Sequence, residues 1–287
     1  MRIKKDQKLS DYTTIGIGGP VSAVYLPETE EELFELLRQF GREKTAYRVI
    51  GNGSNILADD RGIREVLICV RSLERVLKIE GRLMTVDAGY PIAQLAYQAA
   101  SHGLSGLEFA VGIPGSIGGV VRMNAGAHKH TISEVVDSVR MALPGGKVVT
   151  ANNSELRFGY RSTAIAPDAI VTMVFLRLNP ADPRQVHEEI KKNNEWRIAT
   201  QPLKEKSAGC IFRNPGEISA GKMIEDLGLK GFHIGGATIS EMHGNFIVNR
   251  RHATFEDVQK LIVHIKDAVR SKHGIELHEE VMVWRYE

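Results

Sequence analysis

The stretch "GLEFAVGIPGSIGGVVRMNAGAH", residues 106–128, carries more information about the fold than any other part of the sequence. Five of its glycines fall between residues 112 and 126, whereas an ordinary turn needs only one or two. Glycine allows positive φ and close approach of the backbone to a ligand, so successive N–H groups can converge on an anion. The pattern predicts a backbone pressed against a flat ligand. The part beginning at Ser116 also predicts a helix whose N-terminus faces phosphate, while a purely structural role stays open.

A second glycine-containing loop, "VIGNGSNILADDRG", covers residues 49–62. Its glycine spacing is not that of a dinucleotide-binding fingerprint, because Ile56 stands where the third glycine belongs and no clear helix follows. Two interpretations remain. The loop is either an ordinary turn between strands, or a set of backbone N–H groups that holds pyrophosphate with Ser54 and Asn55 as side-chain donors.

The composition is that of an ordinary soluble globular protein. The 287 residues are 43% hydrophobic and 25% charged with a formal net charge of +2, which argues against a general nucleic-acid binder. The two cysteines, Cys69 and Cys210, exclude a disulfide framework and a cysteine-rich metal site. No apolar signal segment and no apolar run of membrane-spanning length are present, so we expect a cytoplasmic location.

Local patterns predict mixed helices and strands without regular βαβ units, which favours an α+β fold. One helix is predicted to begin after Thr29, which caps it, and to end at Gly41. A second carries Pro91 in its first turn and Gly103 past its end. The other predicted elements are hairpins turning at 80–81 and 144–146, helices at 182–200, 220–228 and 254–274, and a last strand at 277–286.

The composition shifts near Asn179-Pro180, where the long polar helix begins. We therefore predict a domain boundary at this point. The first domain covers residues 1–180 and consists of two subdomains, about 1–70 and 71–180, and the second domain covers residues 181–287.

The segment "GEISAGKM", residues 216–223, imitates a phosphate-binding P-loop. Met223 stands where that motif needs a Ser or Thr hydroxyl to hold magnesium, and a proline precedes the segment instead of an apolar strand. We therefore set aside an NTPase. Lys222 is interpreted as an exposed helix residue or as a contact to substrate phosphate.

Cys210 lies in the segment "KSAGCIFRNP", residues 206–215. A cysteine in such a turn can be a buried apolar residue, a nucleophile, a metal ligand or a proton donor. A metal site is disfavoured, because no His or Cys with suitable spacing lies nearby and the histidines at 233, 243, 252 and 264 form no ligand constellation. The residues alone leave the other three roles open.

Six motifs occur in the order found in the UDP-N-acetylenolpyruvoylglucosamine reductase family, flavoenzymes that complete UDP-N-acetylmuramic acid in peptidoglycan synthesis. Each motif alone has little specificity, but the six in order resemble this family over nearly the whole chain, from about Tyr12 to Val281. The motifs are "YTTIGIGGP" (12–20), "VIGNGSNILADDRG" (49–62), "GLEFAVGIPGSIGGVVRMNAGAH" (106–128), "FGYRST" (158–163), "SAGCIFRNP" (207–215) and "GIELHEEV" (274–281).

The resemblance implies a vanillyl-alcohol-oxidase-like (PCMH-type) FAD-binding region of two α+β subdomains, followed by a C-terminal α+β substrate-binding domain. It implies non-covalently bound FAD, NADPH as reductant and a UDP-sugar enolpyruvyl ether as substrate. No metal, nucleic-acid, membrane or obligate protein partner is expected. The chain resembles the shorter form of the family, because residues 160–202 leave no room for the extra substrate-capping loop. The implied FAD contacts are Gly51, Asn52, Gly53, Ser54, Asn55, Gly112, Ile113, Pro114, Gly115, Ser116, Gly118, Gly119, Asn124, Ala125 and Gly126.

Three residues match the family's catalytic positions. Arg161 would grip the substrate carboxylate through two bonds and stabilise an enolate. Glu280 is expected to face inward with Met282 and Trp284, because alternate residues of a strand share a face. Beside an enolate it must be protonated, paired with a base or part of a relay. Cys210 replaces the serine that donates a proton in most members, and a thiol is the stronger acid.

The resemblance also assigns residues to substrate binding. An ordinary surface position explains each of these residues equally well. Two alternative functions remain. One is an FAD oxidase of the same fold that oxidises an alcohol or sugar with oxygen. The other is a nucleotide-binding regulatory protein with an inactive site, which only the cysteine at position 210 favours. The candidate substrate residues are Asn214, Tyr160, Arg197, Gln201, Lys222 and Lys230.

Overall fold

The computed structural model describes residues 1–73 and 76–286 of the chain. None of the helices in these residues is long and apolar enough to cross a membrane. The helices are α1 (Glu30–Glu43), α2 (Ile92–Ser101), α3 (Ile117–Arg122), α4 (Pro183–Thr200), α5 (Ala220–Asp226) and α6 (Phe255–His273). The strands are β1 (Arg2–Lys8), β2 (Pro20–Leu26), β3 (Tyr47–Ile50), β4 (Ile56–Ala58), β5 (Val66–Cys69), β6 (Leu77–Glu80), β7 (Leu83–Asp87), β8 (Leu104–Ser105), β9 (Gly126–Ala127), β10 (His130–Thr131), β11 (Val136–Ala142), β12 (Val148–Asn152), β13 (Ile170–Arg177), β14 (Asn179–Pro180), β15 (Ser207–Cys210), β16 (His233–Ile234), β17 (Ala237–Ile239), β18 (Phe246–Asn249) and β19 (Met282–Trp284).

The chain divides into two compact units, and the division differs from the predicted contiguous domains 1–180 and 181–287. Most of α4 lies in the first unit, because Val186 and Ile190 are buried in its core. The Asn193 side chain also donates a hydrogen bond to the Glu108 carbonyl, at 3.2 Å. The first unit comprises Met1–Lys4, Ala23–Asn52 and Glu65–Trp196, and the second comprises Lys5–Ser22, Gly53–Arg64 and Arg197–Glu287.

The main core of the first unit lies against an antiparallel sheet with the strand order β12-β11-β13-β7-β6. Val174 of β13, Leu95 of α2 and the α3 residues Ile117 and Val121 are all buried in one cluster. Each fully buried aliphatic side chain of this kind contributes about 1.5–3 kcal/mol. The packing of α3 fixes the glycine-rich loop that leads into it.

Helix α1 begins as the sequence predicts. The Thr29 hydroxyl accepts a hydrogen bond from the Glu32 N–H at 3.2 Å, and three glutamates occupy the first turn. The predicted end at Gly41 is wrong, because the helix continues to Glu43 and ends at Lys44, whose φ is 54°. Gly41 is instead a packing residue, since a Cβ there would lie 3.3 Å from the Gly145 Cα.

The other predicted elements of the first unit are present with small shifts. The hairpin of β6 and β7 places Glu80 opposite Leu83. Strands β11 and β12 form the second predicted hairpin. Pro91 caps α2 from the position before its first residue and does not lie in its first turn. The sequence patterns therefore located these elements to within one or two residues.

The second unit has a four-stranded antiparallel sheet with the order β15-β18-β17-β16. Helix α6 buries Val258, Leu261 and Ile265 in the core of this unit. A capping box between Thr254 and Asp257 defines its start, because each side chain accepts a hydrogen bond from the other residue's N–H. This core supports β15, which carries Cys210.

Candidate functional site

The two glycine loops meet inside the first unit. The Asn52 side chain donates a hydrogen bond to the Pro114 carbonyl at 3.0 Å. A Cβ on Gly51 would lie 2.5 Å from the Ser116 Oγ, so a side chain at this position would clash with the Ser116 hydroxyl where it now lies. Residues 51–52 and 114–116 therefore form one continuous surface of the first unit.

The Ser116 hydroxyl is the group on this surface whose missing hydrogen bond a ligand can supply. Ser116 is 2% exposed, and it precedes α3 without its side chain capping that helix. Its Oγ has no hydrogen-bond partner within the described residues. A buried hydroxyl without a partner costs free energy, so a ligand that pairs with it binds favourably. The Gly51–Ser116 contact thus fits a nucleotide cofactor placed against the two loops.

Not every glycine in residues 106–128 is explained by a ligand. Gly118 packs against the chain itself, because a Cβ there would lie 2.7 Å from the Ala88 Cβ. Its N–H also donates to the Ala88 carbonyl at 3.0 Å. Gly126 pairs with Thr131 in the β9–β10 hairpin, where a side chain would meet the backbone of that hairpin. Close internal packing therefore accounts for these two glycines.

Arg161 lies at the tip of a tight turn in the first unit. Gly159 and Ser162 exchange backbone hydrogen bonds of 3.0 and 3.2 Å, which leaves Tyr160 and Arg161 between them. Arg161 has a φ of 53°, in the left-handed region that non-glycine residues rarely adopt. Such a conformation persists where the surrounding structure fixes the residue, as the hydrogen bonds of this turn do.

Asn124 holds this turn in place. Asn124 is 5% exposed, and its side-chain N–H donates to the Gly159 carbonyl at 2.8 Å. The Arg161 guanidinium donates to the Asn124 carbonyl at 3.4 Å and to the Gly126 carbonyl at 3.3 Å, and it lies over the Tyr160 ring at 5.2 Å. The structure therefore brings together Asn124, Gly126, Tyr160 and Arg161, all of which the sequence assigned to the site.

Cys210 ends strand β15 in the second unit, where it is half-buried and a free thiol. It lies opposite Phe246 of β18, with an irregularity in the pairing between Ser207 and Cys210. Gly209 makes this irregularity possible with a φ of 74°. A Cβ on Gly209 would lie 3.7 Å from the Ser54 carbonyl oxygen, so the second half of the first glycine loop lies close to this strand.

Asn245 fixes the residues that follow Cys210. It is 3% exposed, and its side chain accepts from the Phe212 N–H at 2.9 Å and donates to the Phe212 carbonyl at 2.8 Å. Its own carbonyl accepts from the Ile211 N–H at 2.9 Å. The backbone of Ile211 and Phe212 is therefore fixed by hydrogen bonds to one buried residue, Asn245.

Glu280 approaches the same segment. Its N–H donates to the Ile211 carbonyl at 2.7 Å, and its carbonyl accepts from the Asn55 side chain at 3.1 Å. The predicted strand 277–286 is shorter in the structure, where Met282–Trp284 pairs in parallel with β4 and Glu279 forms an isolated antiparallel bridge with Phe212. Met282 is 43% exposed, so the alternation argument for Glu280 also fails. Long-range backbone hydrogen bonds, rather than strand alternation, place Glu280 beside the residue that follows Cys210.

Arg197 is the most deeply buried cation among the predicted site residues, at 8% exposed. One guanidinium nitrogen, Nη2, donates to the Gln201 Oε1 at 2.8 Å. The Nε atom is buried without a hydrogen-bond partner in the described part of the chain. Burial lowers the pKa of Arg197, while attraction to Cys210 opposes that shift. Arg197 and Gln201 are therefore one hydrogen-bonded pair that interacts electrostatically with Cys210.

His243 lies against Phe246, the strand partner of Cys210, although the sequence gave no reason to assign it to the site. Its Nδ1 accepts from the Asn245 N–H at 3.2 Å, and its ring contacts Phe246 with the centroids 4.9 Å apart. Burial, followed by the positive charge of Lys230, lowers the pKa of His243. The imidazole is therefore neutral at pH 7, with its proton on Nε2. A histidine next to "GNF" carries no spacing signal, which is why the sequence missed it.

The remaining predicted substrate residues have ordinary partners. Asn214 is exposed, and its Oδ1 accepts from the Ala220 N–H at 3.1 Å. Lys222 is paired with Asp226 on the exposed face of α5, with Nζ 2.6 Å from Oδ1. Lys230 is paired with Glu225 at 3.1 Å, and its side chain is 26% exposed. Lys230 thus lies near His243, whereas Lys222 has the ion pair of a surface helix.

Comparison with known proteins identifies the family. Residues 201–284 match the model of the UDP-N-acetylenolpyruvoylglucosamine reductase C-terminal domain. The UDP-N-acetylenolpyruvoylglucosamine reductase of Bacillus subtilis (strain 168) is 38% identical over 98% of this chain and 94% of its own length. The chain belongs to the UDP-N-acetylenolpyruvoylglucosamine reductase family. The relative from Halalkalibacterium halodurans is 39% identical over 97% of this chain and 93% of its own length.

The same family has a solved structure that matches this chain closely. The crystal structure of the UDP-N-acetylenolpyruvylglucosamine reductase from Thermus caldophilus has a TM-score of 0.86, with 38% identity over 99% of each chain. Residues 21–152 match the FAD binding domain model. These matches confirm the predicted family, the predicted α+β fold class and FAD as the cofactor. Among the described residues, no group of three or more His, Cys, Asp or Glu side chains is arranged to hold a metal ion.

Proposed function

We propose that the protein reduces UDP-N-acetylglucosamine enolpyruvate to UDP-N-acetylmuramate in peptidoglycan synthesis, with NADPH as the electron source. The observation that carries this proposal is 38% identity to a curated reductase over 98% of the chain. The buried, unpartnered Ser116 hydroxyl and the strained turn at Arg161 add support from the structure. The proposal assigns FAD to the first unit and the UDP-sugar to the second.

The cofactor-binding residues proposed are the two glycine loops. Ser116 would supply its hydroxyl to FAD, and Gly51 keeps the neighbouring surface free of a side chain. When bound to these loops, FAD would supply the hydride chemistry for reduction of the enolpyruvyl ether. The chain's own residues must then stabilise the negative charge on the substrate and deliver a proton.

Arg161 is proposed to bind the substrate carboxylate. Its guanidinium is permanently charged, and two backbone carbonyls at 3.3 and 3.4 Å fix its orientation. Negative charge spreads into the carboxylate as the enolate forms. Arg161 therefore stabilises the transition state more than the ground state, which is what accelerates the step.

Cys210 is proposed to deliver the proton. The S–H bond breaks, a C–H bond forms at the carbon next to the reduced methylene, and the electron pair stays on sulfur as a thiolate. The thiolate then recovers a proton from solvent. Glu280, held beside Ile211, is proposed to contact the same part of the substrate in its protonated form or through a hydrogen-bond relay. Asn214, Arg197, Gln201 and Lys230 remain proposed substrate contacts, and the cytoplasmic location remains a prediction.

Turnover with defined substrates tests the proposal. The purified protein is expected to be yellow, to release FAD on denaturation, and to oxidise NADPH only when the enolpyruvyl sugar nucleotide is present. Equal NADPH oxidation with oxygen alone would support an oxidase of the same fold instead. Flavin binding without either activity would support the regulatory alternative.

Variants of Cys210 test its role separately. Cys210→Ser is expected to keep substantial activity, because a serine hydroxyl at the same position can also donate a proton. Cys210→Ala is expected to lose mainly the half-reaction in which the substrate is protonated, while NADPH still reduces the flavin. A Cys210→Ala variant that completes both half-reactions at the wild-type rate rules out the proton-donor role.

A further inference from the structure

The backbone of Glu280 is attached to two different segments of the second unit. Its N–H donates to the carbonyl of Ile211, the residue after Cys210, at 2.7 Å. Its carbonyl accepts from the Asn55 side chain at 3.1 Å. Asn55 belongs to the glycine loop of residues 49–62, which is proposed to bind FAD. One side chain therefore joins this loop to the segment that carries Glu280.

Asn55 bonds to the Glu280 segment through two of its groups. The Asn55 carbonyl accepts from the Met282 N–H at 2.9 Å, so its backbone and its side chain bond on either side of Val281. The pairing of β19 with β4 begins at Met282 and Ile56. Glu280 lies beyond the end of this ladder, and the Asn55 amide extends the attachment to it.

The loop end of this connection is itself fixed. The Thr14 N–H donates to the Gly53 carbonyl at 3.1 Å, and a Cβ on Gly53 would clash with the Tyr12 carbonyl. Because the backbone of residues 12–14 packs directly on Gly53, any movement of this part of the loop also requires movement of that segment. Asn55 therefore connects Glu280 to a firmly packed part of the loop.

The neighbouring acid, Glu279, has a different partner. Its backbone forms a bridge with Phe212, and its carboxylate is paired with Lys266 of α6 at 3.0 Å. This ion pair accounts for Glu279 as a structural residue. Glu280 is therefore the acid of the pair whose position bears on the site.

We propose that Asn55 is a positioning residue that holds Glu280 at the distance from the cofactor loop that protonation of the substrate requires. This inference rests on the proposed function and deepens it. The sequence assigned the Asn55 side chain to FAD, whereas the structure uses an N–H of this side chain for Glu280. An acid or relay residue acts only within hydrogen-bond reach of its proton acceptor. A displacement of Glu280 by about 1 Å therefore slows this step by up to about 100-fold.

Single-turnover kinetics of the holoenzyme test the proposal. NADPH first reduces the flavin without oxygen, and the reduced enzyme is then mixed with the enolpyruvyl sugar nucleotide and quenched at intervals to measure the product. Asn55→Ala is expected to slow product formation about 10- to 100-fold. Flavin reduction by NADPH should stay within about twofold of the wild type, which a general loss of structure would not allow. A wild-type rate of product formation in Asn55→Ala overturns the proposal.

Two further variants keep the test independent of folding. Asn55→Asp preserves the shape of the side chain but has no N–H donor when ionised, so the same loss is expected, and a wild-type rate overturns the proposal. Asn249→Ala is the matched control, because Asn249 is a half-buried amide of the second unit that donates to a distant carbonyl, that of Ile15, at 3.0 Å. It should keep both half-reactions within about twofold of the wild type, and a loss equal to that of Asn55→Ala overturns the proposal.

A double-mutant cycle identifies the residue through which Asn55 acts. In the Glu280→Gln background, Asn55→Ala should slow product formation by no more than about twofold further, because the group that it positions has lost its acid function. Full additivity of the two changes shows that Asn55 acts independently of Glu280 and overturns the proposal. A wild-type rate in Glu280→Gln contradicts the role of Glu280 and this inference with it.

Hydrogen exchange tests the attachment without turnover. The amides of residues 277–284 should exchange about 2- to 13-fold faster in Asn55→Ala than in the wild type, because this segment loses one hydrogen bond, and unchanged exchange overturns the proposal. Faster exchange with a wild-type rate of product formation contradicts the role of Asn55 alone. A wild type that forms no product from the enolpyruvyl sugar nucleotide contradicts the proposed function, whatever its exchange rates.

Discussion

Replacing Gly51 with alanine tests whether its contact with Ser116 builds the cofactor surface. An alanine Cβ would lie 2.5 Å from the Ser116 Oγ but 3.6 Å from the Ser116 Cβ, which is an ordinary contact. The clash therefore involves one atom, the hydroxyl oxygen. Removing that atom with Ser116→Ala should remove the clash.

The expected magnitudes follow from this geometry. Overpacking lowers the free energy of unfolding by about 1–3 kcal/mol. Alanine has less conformational freedom than glycine in the unfolded chain, which raises the free energy of unfolding by about 0.4–1 kcal/mol. Gly51→Ala should thus lower the free energy of unfolding by up to about 2.6 kcal/mol. In the Ser116→Ala background, Gly51→Ala should not lower the free energy of unfolding. The two sites should therefore show a coupling energy of about 1 kcal/mol or more.

Ser116→Ala alone should separate stability from cofactor binding. Without FAD, it removes a buried hydroxyl that has no partner, so the free energy of unfolding should stay the same or rise. With FAD, it removes a hydrogen bond of about 0.5–1.5 kcal/mol, which corresponds to roughly 2- to 13-fold weaker binding. These opposite effects are not expected of a residue that has only a structural role.

Two measurements check these values. Urea unfolding of the FAD-free protein, followed by circular dichroism, gives the free energies of unfolding, and flavin fluorescence gives the FAD affinities. Gly216→Ala is the matched control, because nothing lies within 4 Å of its Cβ position. The reasoning is refuted if Gly51→Ala destabilises equally with and without the Ser116 hydroxyl, or if Ser116→Ala binds FAD as tightly as the wild type.

Three further predictions concern Asn245, Asp59 and Arg161. Asn245→Ala should lower the free energy of unfolding by about 2–5 kcal/mol, because it leaves the buried N–H and carbonyl of Phe212 without partners. Urea titration measures this loss, and a value below about 1 kcal/mol would contradict the prediction. The Arg61 side chain lowers the pKa of Asp59 to about 2, so Asp59 should stabilise the fold above pH 4 and lose that contribution as the pH falls towards 2. The difference in unfolding free energy between the wild type and Asp59→Asn, on the order of 2 kcal/mol at pH 6, should therefore disappear near pH 2, and a constant difference would refute it. Arg161→Lys should lower kcat about 100-fold in steady-state assays, because lysine cannot bind a carboxylate through two bonds, and an unchanged kcat would exclude the assigned role.

Elements that depend on neighbouring residues could be predicted from the sequence. Thr29 followed by three glutamates specifies the start of α1, since the cap and the helix dipole act within one turn. The hairpin between Glu80 and Leu83 follows from a glycine between two alternating runs. The glycine loops and the six ordered motifs were sufficient to predict the family and the fold class, because they depend on residue types and order in the chain.

Features that depend on distant residues could not be predicted. A glycine such as Gly41 has the same sequence signal whether it ends a helix or packs against another turn. Alternation along the last strand failed for Glu280, because hydrogen bonds to Ile211 and Asn55 place it. The boundary predicted near residue 180 differs from the division into compact units, because the burial of Val186 and Ile190 joins most of α4 to the first unit.

The sequence by itself determined the family, the fold class and FAD as the cofactor, and it supplied the candidate site residues. Only the tertiary structure decided which groups are buried and which charges face each other. Asn245 lies 33 residues from Phe212 in the chain and yet bonds to both of its backbone groups. The burial of Arg197, which is 8% exposed, is likewise a property of packing, because desolvation depends on the surroundings in space and not on separation in sequence.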